Sequence, residues 1–174
     1  MTNQIDTLFV DMDGVIADFK NTYDPFKEYV ESVFGSMNNR KIFTAAITFG
    51  IYEKLGYMSN GMRLVREIEN IRRDHGKLKI KILSATGTAN ISHLTGDVQQ
   101  QKRRWLNRNG INWDPVFVLR KVDKATVATR TSVLLDDRPG CTDPFIAKGG
   151  HAVLYKNETI DTHVKELRDI ILGE

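Results

Sequence analysis

Two pairs of carboxylates stand out by type and spacing. Asp11 and Asp13 lie one residue apart in Asp11-Met12-Asp13-Gly14, directly after the apolar run Thr7–Val10. Asp136 and Asp137 are adjacent in Asp136-Asp137-Arg138-Pro139, directly after the run Ser132–Leu135. In an open parallel sheet, ligands bind beyond the carboxyl ends of the strands. Two strands that end in paired carboxylates make a hard-oxygen site suited to Mg²⁺. Left unpaired, carboxylates this close repel and raise one another's pKa, and a divalent cation relieves that conflict. The plain alternative for the first pair is an Asx turn with a glycine. An EF-hand calcium loop fails on spacing: Gly14 comes too early, and Thr22 stands where the closing glutamate belongs.

Two further residues fit the same chemistry. Ser84 follows the run Leu78–Leu83. Its hydroxyl and the amides of Ala85, Thr86 and Gly87 offer donors to phosphate oxygens. Lys124 precedes the strand that carries Asp136, and a lysine beside carboxylates and a phosphate supplies compensating positive charge. Alone, Ser84 reads as a loop serine and Lys124 as one more solvated lysine.

The elements that position these residues are five short apolar runs: Thr7–Val10, Leu78–Leu83, Val116–Leu119, Ser132–Leu135 and His151–Tyr155. Most are continuous rather than alternating, as buried parallel strands are. Lys77, Lys79 and Lys81 alternate with Leu78, Ile80 and Ile82, so the start of the second run has a wet face. Between the runs lie helical patterns. Met62, Val65, Ile68 and Ile71 share one stripe, Asp97–Asn109 ends at Gly110, and Ile160, Val164, Leu167 and Ile171 form a last amphipathic helix. Strands alternating with helices predict crossover units and a parallel sheet covered on both faces. Residues 19–60 break the alternation. They are rich in aromatics and read as a small, mostly helical insertion.

The order Asp-x-Asp-Gly, Ser, Lys, Asp-Asp resembles the haloacid dehalogenase superfamily of phosphotransferases. Asp11, Asp13, Ser84, Lys124, Asp136 and Asp137 carry the match. Within it, Asp11 to Phe19 is similar to the start of the 5'(3')-deoxyribonucleotidases and related phage and bacterial phosphatases. Asp136 to Pro139 and Lys102 to Leu106 also resemble that group. The departures are Ala85, where a second hydroxyl is common, and Val122, where an arginine often precedes the motif lysine.

The resemblance implies an α/β fold with a Rossmann-like three-layer core. Its central parallel sheet has strand order 3-2-1-4-5, and a small helical cap is inserted after the first strand. The core spans 1–18 and 61–174, and the cap spans 19–60. The implied activity is Mg²⁺-dependent phosphomonoester hydrolysis of a (deoxy)ribonucleoside monophosphate. Asp11 is the implied nucleophile and Asp13 the acid and base. Asp11, the carbonyl of Asp13, and Asp136 would hold Mg²⁺, with Asp137 behind them. Ser84, Ala85 and Lys124 would bind phosphate. Phe19 is the best single candidate to stack on a base, against the alternative that the insertion's aromatics form its own small core.

Lys102, Arg103, Arg104 and Arg108 make a basic helix that reads as a solvated face, with a polynucleotide path as the alternative. The runner-up activity is accordingly a 3'-phosphatase on polynucleotide ends. From another class, a receiver-like Mg²⁺- or phosphate-binding domain also places acidic residues and a lysine at strand ends. Asp11 and Asp13 on one strand argue against it. The four histidines lack metal-ligand spacing, and the single cysteine, Cys141, excludes an internal disulfide and a cysteine-rich zinc site. A net charge of +3 permits anionic ligands without demanding nucleic acid. The expected partner is a small phosphomonoester, not a membrane. Residues 1–10 lack the basic start of a secretory signal, so a reduced, cytoplasmic setting is expected.

Overall fold

The computed structural model describes residues 4–174. The first three residues of the expected core span, and of the stretch read for a leader, lie outside the described residues. In chain order the elements are β1 (Thr7–Val10), β2 (Ala17–Asp18), α1 (Phe19–Phe34), α2 (Asn39–Thr48), β3 (Gly56–Tyr57), α3 (Gly61–His75), β4 (Lys79–Ala85), α4 (Thr95–Arg108), β5 (Asp114–Val118), β6 (Ser132–Asp136), α5 (Pro139–Ala147), β7 (His151–Leu154) and α6 (Ile160–Leu172). Short 3-10 turns cover Ile51–Lys54 and Lys121–Val127.

Five strands form one parallel sheet in the order β5-β4-β1-β6-β7. Counted within that sheet alone, this is the expected order 3-2-1-4-5. The order reverses between β1 and β6, and such a switch point opens a crevice at the strand ends. Asp11 follows β1 and Asp136 ends β6, so both flank that crevice.

The period of a strand sends alternate residues to opposite faces, and the core follows it. Leu8 and Val10 join Ile80, Ile82, Val133 and Leu135 on one face, under Leu64 and Ile68 of α3 and Leu167 and Ile171 of α6. Phe9, Leu83 and Leu134 face the other way, onto Cys141 and Phe145 of α5. Ile80 and Ile82 are buried while Lys79 is exposed, as the lysine alternation required. Gly61 opens α3 where a Cβ would lie 2.5 Å from the carbonyl oxygen of Ile16. Only a glycine lets the helix start that close to the turn after β1.

Near the site, the elements differ from the sequence reading. β4 runs on through Ser84 and Ala85, which were placed in the loop after it. Both pair with β5, which starts two residues earlier than read. The segment after β1 opens with β2 paired antiparallel to β3, a two-strand ribbon too short to leave a periodic signal. Asp18 caps α1, accepting from the Asn21 amide at 3.2 Å.

Candidate functional site

The turn after β1 is tight. The carbonyl of Met12 accepts from the amides of Ile16 and Ala17 at 3.0 and 2.9 Å, and Gly14 adopts φ +85°. A Cβ at Gly14 would lie 2.6 Å from Oδ2 of Asp137. The glycine thus serves both the turn and the approach of the two acidic motifs. Gly14→Ala is expected to cost roughly 1–2 kcal/mol for the left-handed backbone alone. The overlap with Asp137 adds to that cost. Chemical denaturation should show the loss, with activity falling further than stability because Asp137 is displaced.

Asp11 is buried, and two donors converge on one of its oxygens. Its Oδ1 accepts from the Met12 amide at 2.8 Å and pairs with the Lys124 ammonium at 2.7 Å. Oδ2 is the oxygen left for other chemistry. Lys124, itself buried, also donates to Oδ2 of Asp136 at 2.6 Å. Burial alone would lower the lysine's pKa, but Asp11 and Asp136 outweigh it and hold the ammonium firmly charged. Oδ1 of Asp136 accepts from the Arg138 amide at 3.0 Å.

The acidic cluster fits a divalent cation. Asp11, Asp136 and Asp137 each offer a carboxylate oxygen, all within 4.8 Å of one another. Oδ1 of Asp137 is buried without a hydrogen-bond partner. Burial, reinforced by Asp11, pushes the Asp136 carboxyl up to about 6, and the same two causes raise Asp137. A hard cation relieves both the orphaned oxygen and the crowding. Asp137, expected behind the ligands, contributes an oxygen to the same cluster as Asp11 and Asp136.

Asp13 points elsewhere. Its Oδ2 accepts from Lys102 at 2.6 Å. The same ammonium donates to Ser84 Oγ at 2.7 Å and to the Ala85 carbonyl at 3.1 Å, and lies 4.5 Å from the Tyr52 ring centroid. Lys102 is fully buried, which overturns its reading as part of a solvated helix face. The helix phase explains the difference. Val98, Gln101, Lys102, Trp105 and Leu106 are the buried stripe of α4, whereas Arg103 and Arg104 are exposed. Burial raises the Asp13 carboxyl above the usual carboxylate range, Lys102 opposes the shift, and Asp11 adds to it.

The expected phosphate donors are only partly in place. Ser84 is buried at the site, with its hydroxyl on Lys102. The Thr86 and Gly87 amides, expected to face phosphate, instead donate to the carbonyls of Val118 and Leu119 at 2.8 and 3.0 Å. They are spent on extending the β4–β5 ladder.

A cavity of about 230 Å³ opens over these groups, lined by Asp11, Asp13, Ala85 and Lys124 on the sheet side. Phe19, Phe43 and Tyr52, from the segment between β1 and α3, form its other wall. Phe19 stacks on Tyr23 and Tyr52, with centroids 5.1 and 5.3 Å apart. Tyr52, unassigned from sequence, is held by Gln101, whose Oε1 accepts from the Tyr52 amide at 3.3 Å. Trp105 donates to the Leu55 carbonyl at 2.8 Å. The helix that delivers Lys102 therefore also fixes the aromatic wall. Cys141 lines the cavity too, but burial pushes its thiol up to about 12, too high for a nucleophile at neutral pH.

No protein-family model matches the sequence, and no curated protein matches it. Solved structures do match. A haloacid dehalogenase-like family hydrolase from Xanthomonas campestris aligns with TM-score 0.62 at 11% identity, covering 97% of this chain and 93% of that one. A haloacid dehalogenase-like family hydrolase from Streptococcus pneumoniae gives 0.56 at 10% identity, covering 87% and 84%. This chain has the haloacid dehalogenase-like fold. A hydrolase from Streptococcus pneumoniae TIGR4 matches over the full length of both chains, at TM-score 0.53 and 13% identity. In the haloacid dehalogenase-like fold of this chain, the two acidic motifs meet at the carboxyl ends of the central strands. No helix among the described residues is long and apolar enough to cross a membrane.

Proposed function

We propose that this protein is a Mg²⁺-dependent phosphomonoesterase that hydrolyses nucleoside monophosphates, deoxyribonucleotides included, through an aspartyl-phosphate. One observation carries the reading. Asp11 lies on the cavity floor with one oxygen pinned, between an acidic cluster that suits a cation and an Asp13–Lys102 pair.

In the first step, Oδ2 of Asp11 attacks phosphorus, and the bond to the leaving alkoxide breaks. Asp13, with its raised pKa, protonates that alkoxide. In the second step, Asp13 takes a proton from water, which attacks the same phosphorus and returns Asp11 as a carboxylate. Lys124 keeps Asp11 ionised and offers charge to the transferring oxygens. Lys102 orients Asp13 and adds a second positive charge at the cavity. Asp11, Asp136 and Asp137, with the Asp13 carbonyl, would hold Mg²⁺, which screens the anionic nucleophile from the anionic phosphate.

The inserted segment 19–60 acts as a cap. Its wall of Phe19, Phe43 and Tyr52 supports a nucleotide over a sugar phosphate, because stacking on an aromatic is worth ~1–3 kcal/mol per base. The reacting cavity, of about 230 Å³, is smaller than the usual ligand site, so at this end it admits a single nucleotide unit.

The test is a hydrolysis panel of 5'- and 3'-mononucleotides and p-nitrophenyl phosphate, with Mg²⁺ and with excess chelator. Activity is expected with Mg²⁺ and none with chelator, while circular dichroism stays unchanged. The sheet has its own core, so the metal is not needed for folding. Mg²⁺ at a hundred times its Kd should add about 2.7 kcal/mol by linkage and raise Tm by several degrees. Full turnover in chelator would remove the acidic cluster's assigned role.

A further inference from the structure

The reacting cavity does not end at the aromatic wall. A second cavity, of about 520 Å³, shares Phe19, Phe43 and Gly87 with it. Two helix stripes line this outer groove. On α1, Phe19, Tyr23 and Lys27 recur every fourth residue, so they stack on one face. On α2, Phe43 and Arg40 are three apart and also share a face. Both stripes run from an aromatic beside the reacting cavity to a cation at the outer end. The edge contact of Tyr23 on Phe43, with centroids 6.3 Å apart, joins them midway.

The outer end carries net positive charge. Asp24 lines it but is paired with Lys20. Among the described residues, neither Lys27 nor Arg40 forms an ion pair, and Lys27 makes only a 3.4 Å bond to the Asn39 side-chain oxygen. Eight residues of helix separate Phe19 from Lys27, about 12 Å along the axis, a span on the scale of a nucleotide. Asp24 is the one carboxylate among the lining residues, while two amide side chains, Asn39 and Asn90, complete the rim.

We propose that this outer groove is a subsite for a second phosphate on the substrate, gripped by Lys27 and Arg40 while the first phosphate meets Asp11. The inference rests on the phosphomonoesterase reading and narrows its substrate to nucleotides that bear a second phosphate. That phosphate is either free, as in a nucleoside 3',5'-bisphosphate, or the diester of a short oligonucleotide.

The experiment compares deoxyadenosine 5'-monophosphate, deoxyadenosine 3',5'-bisphosphate and the 5'-phosphorylated deoxyadenosine dinucleotide in Mg²⁺. Two charge-assisted contacts predict a kcat/KM for one of the last two about tenfold or more above the monophosphate. A gain for the bisphosphate alone assigns a free phosphate, and a gain for the dinucleotide alone assigns a diester. In the Lys27→Gln/Arg40→Gln double variant, the ratio should fall to near one. Hydrolysis of p-nitrophenyl phosphate and the monophosphate, with no gain for either longer substrate, would overturn the subsite and leave the phosphomonoesterase reading standing. If no phosphomonoester is turned over, that reading fails, and calorimetric binding of the bisphosphate against the monophosphate still decides. Tighter binding that the double variant abolishes supports the subsite, and equal binding rejects it.

Discussion

Asp11→Asn should lower turnover by more than about a thousandfold, because an amide oxygen cannot take up the phosphoryl group. The loss should come with the fold intact. Lys124 keeps its 2.6 Å bond to Asp136, and the Met12 amide can still donate to the new side-chain oxygen. Circular dichroism and a melting curve close to wild type, beside absent hydrolysis of p-nitrophenyl phosphate, are the expected pair of results. Wild-type rates in this variant would rule out covalent catalysis by Asp11.

Lys102 should matter nearly as much, and its neighbours should not. Lys102→Met keeps the volume and the buried stripe but strips Asp13 of its cation and Ser84 of its donor. Losing a positioned acid and base costs about a hundredfold or more in kcat. Breaking a buried ion pair costs about 3–5 kcal/mol. The stability loss here should fall below that, because 24% of the Asp13 side chain stays exposed. Arg103 lies 5.0 Å over the Phe117 ring, and Arg104 pairs with Glu53 at 2.9 Å. Both are exposed, so replacing the two with serine should change kcat/KM by less than about tenfold, or ~1.4 kcal/mol. Steady-state kinetics on one mononucleotide compares all three positions. Equal losses at Lys102 and at the two arginines would mean that the helix acts only as a basic surface.

The contrast shows how far the sequence could be read. The sheet was legible because its strands are continuous apolar runs that end at Asp11 and Asp136, and the alternating lysines of β4 even gave the exposed side. The acidic motifs were legible because paired carboxylates at strand ends have few structural uses. Lys102 was misread because Lys102, Arg103 and Arg104 look alike by charge. The signal that separates them was present: Val98, Trp105 and Leu106 set a helical phase that puts Lys102 inside. Tyr52 had no such signal. It reaches the cavity through its stacking on Phe19 and the hold of Gln101 on its backbone, long-range contacts that no local pattern encodes. The Thr86 and Gly87 amides were misassigned for a related reason, since their partners, Val118 at the end of β5 and Leu119 just past it, are set by the pairing of β4 with β5.

The covalent intermediate is the centre of the account, and it can be trapped. Asp13→Asn keeps the nucleophile but lacks the base for the second step. Briefly mixed with p-nitrophenyl phosphate and Mg²⁺, whose leaving group needs little acid help, and then quenched in acid, it should carry one phosphoryl group. Peptide mapping by mass spectrometry should place that group on Asp11. Release of p-nitrophenol in the same mixture without any phosphorylated peptide, or with the phosphoryl group on another residue, would contradict the assignment.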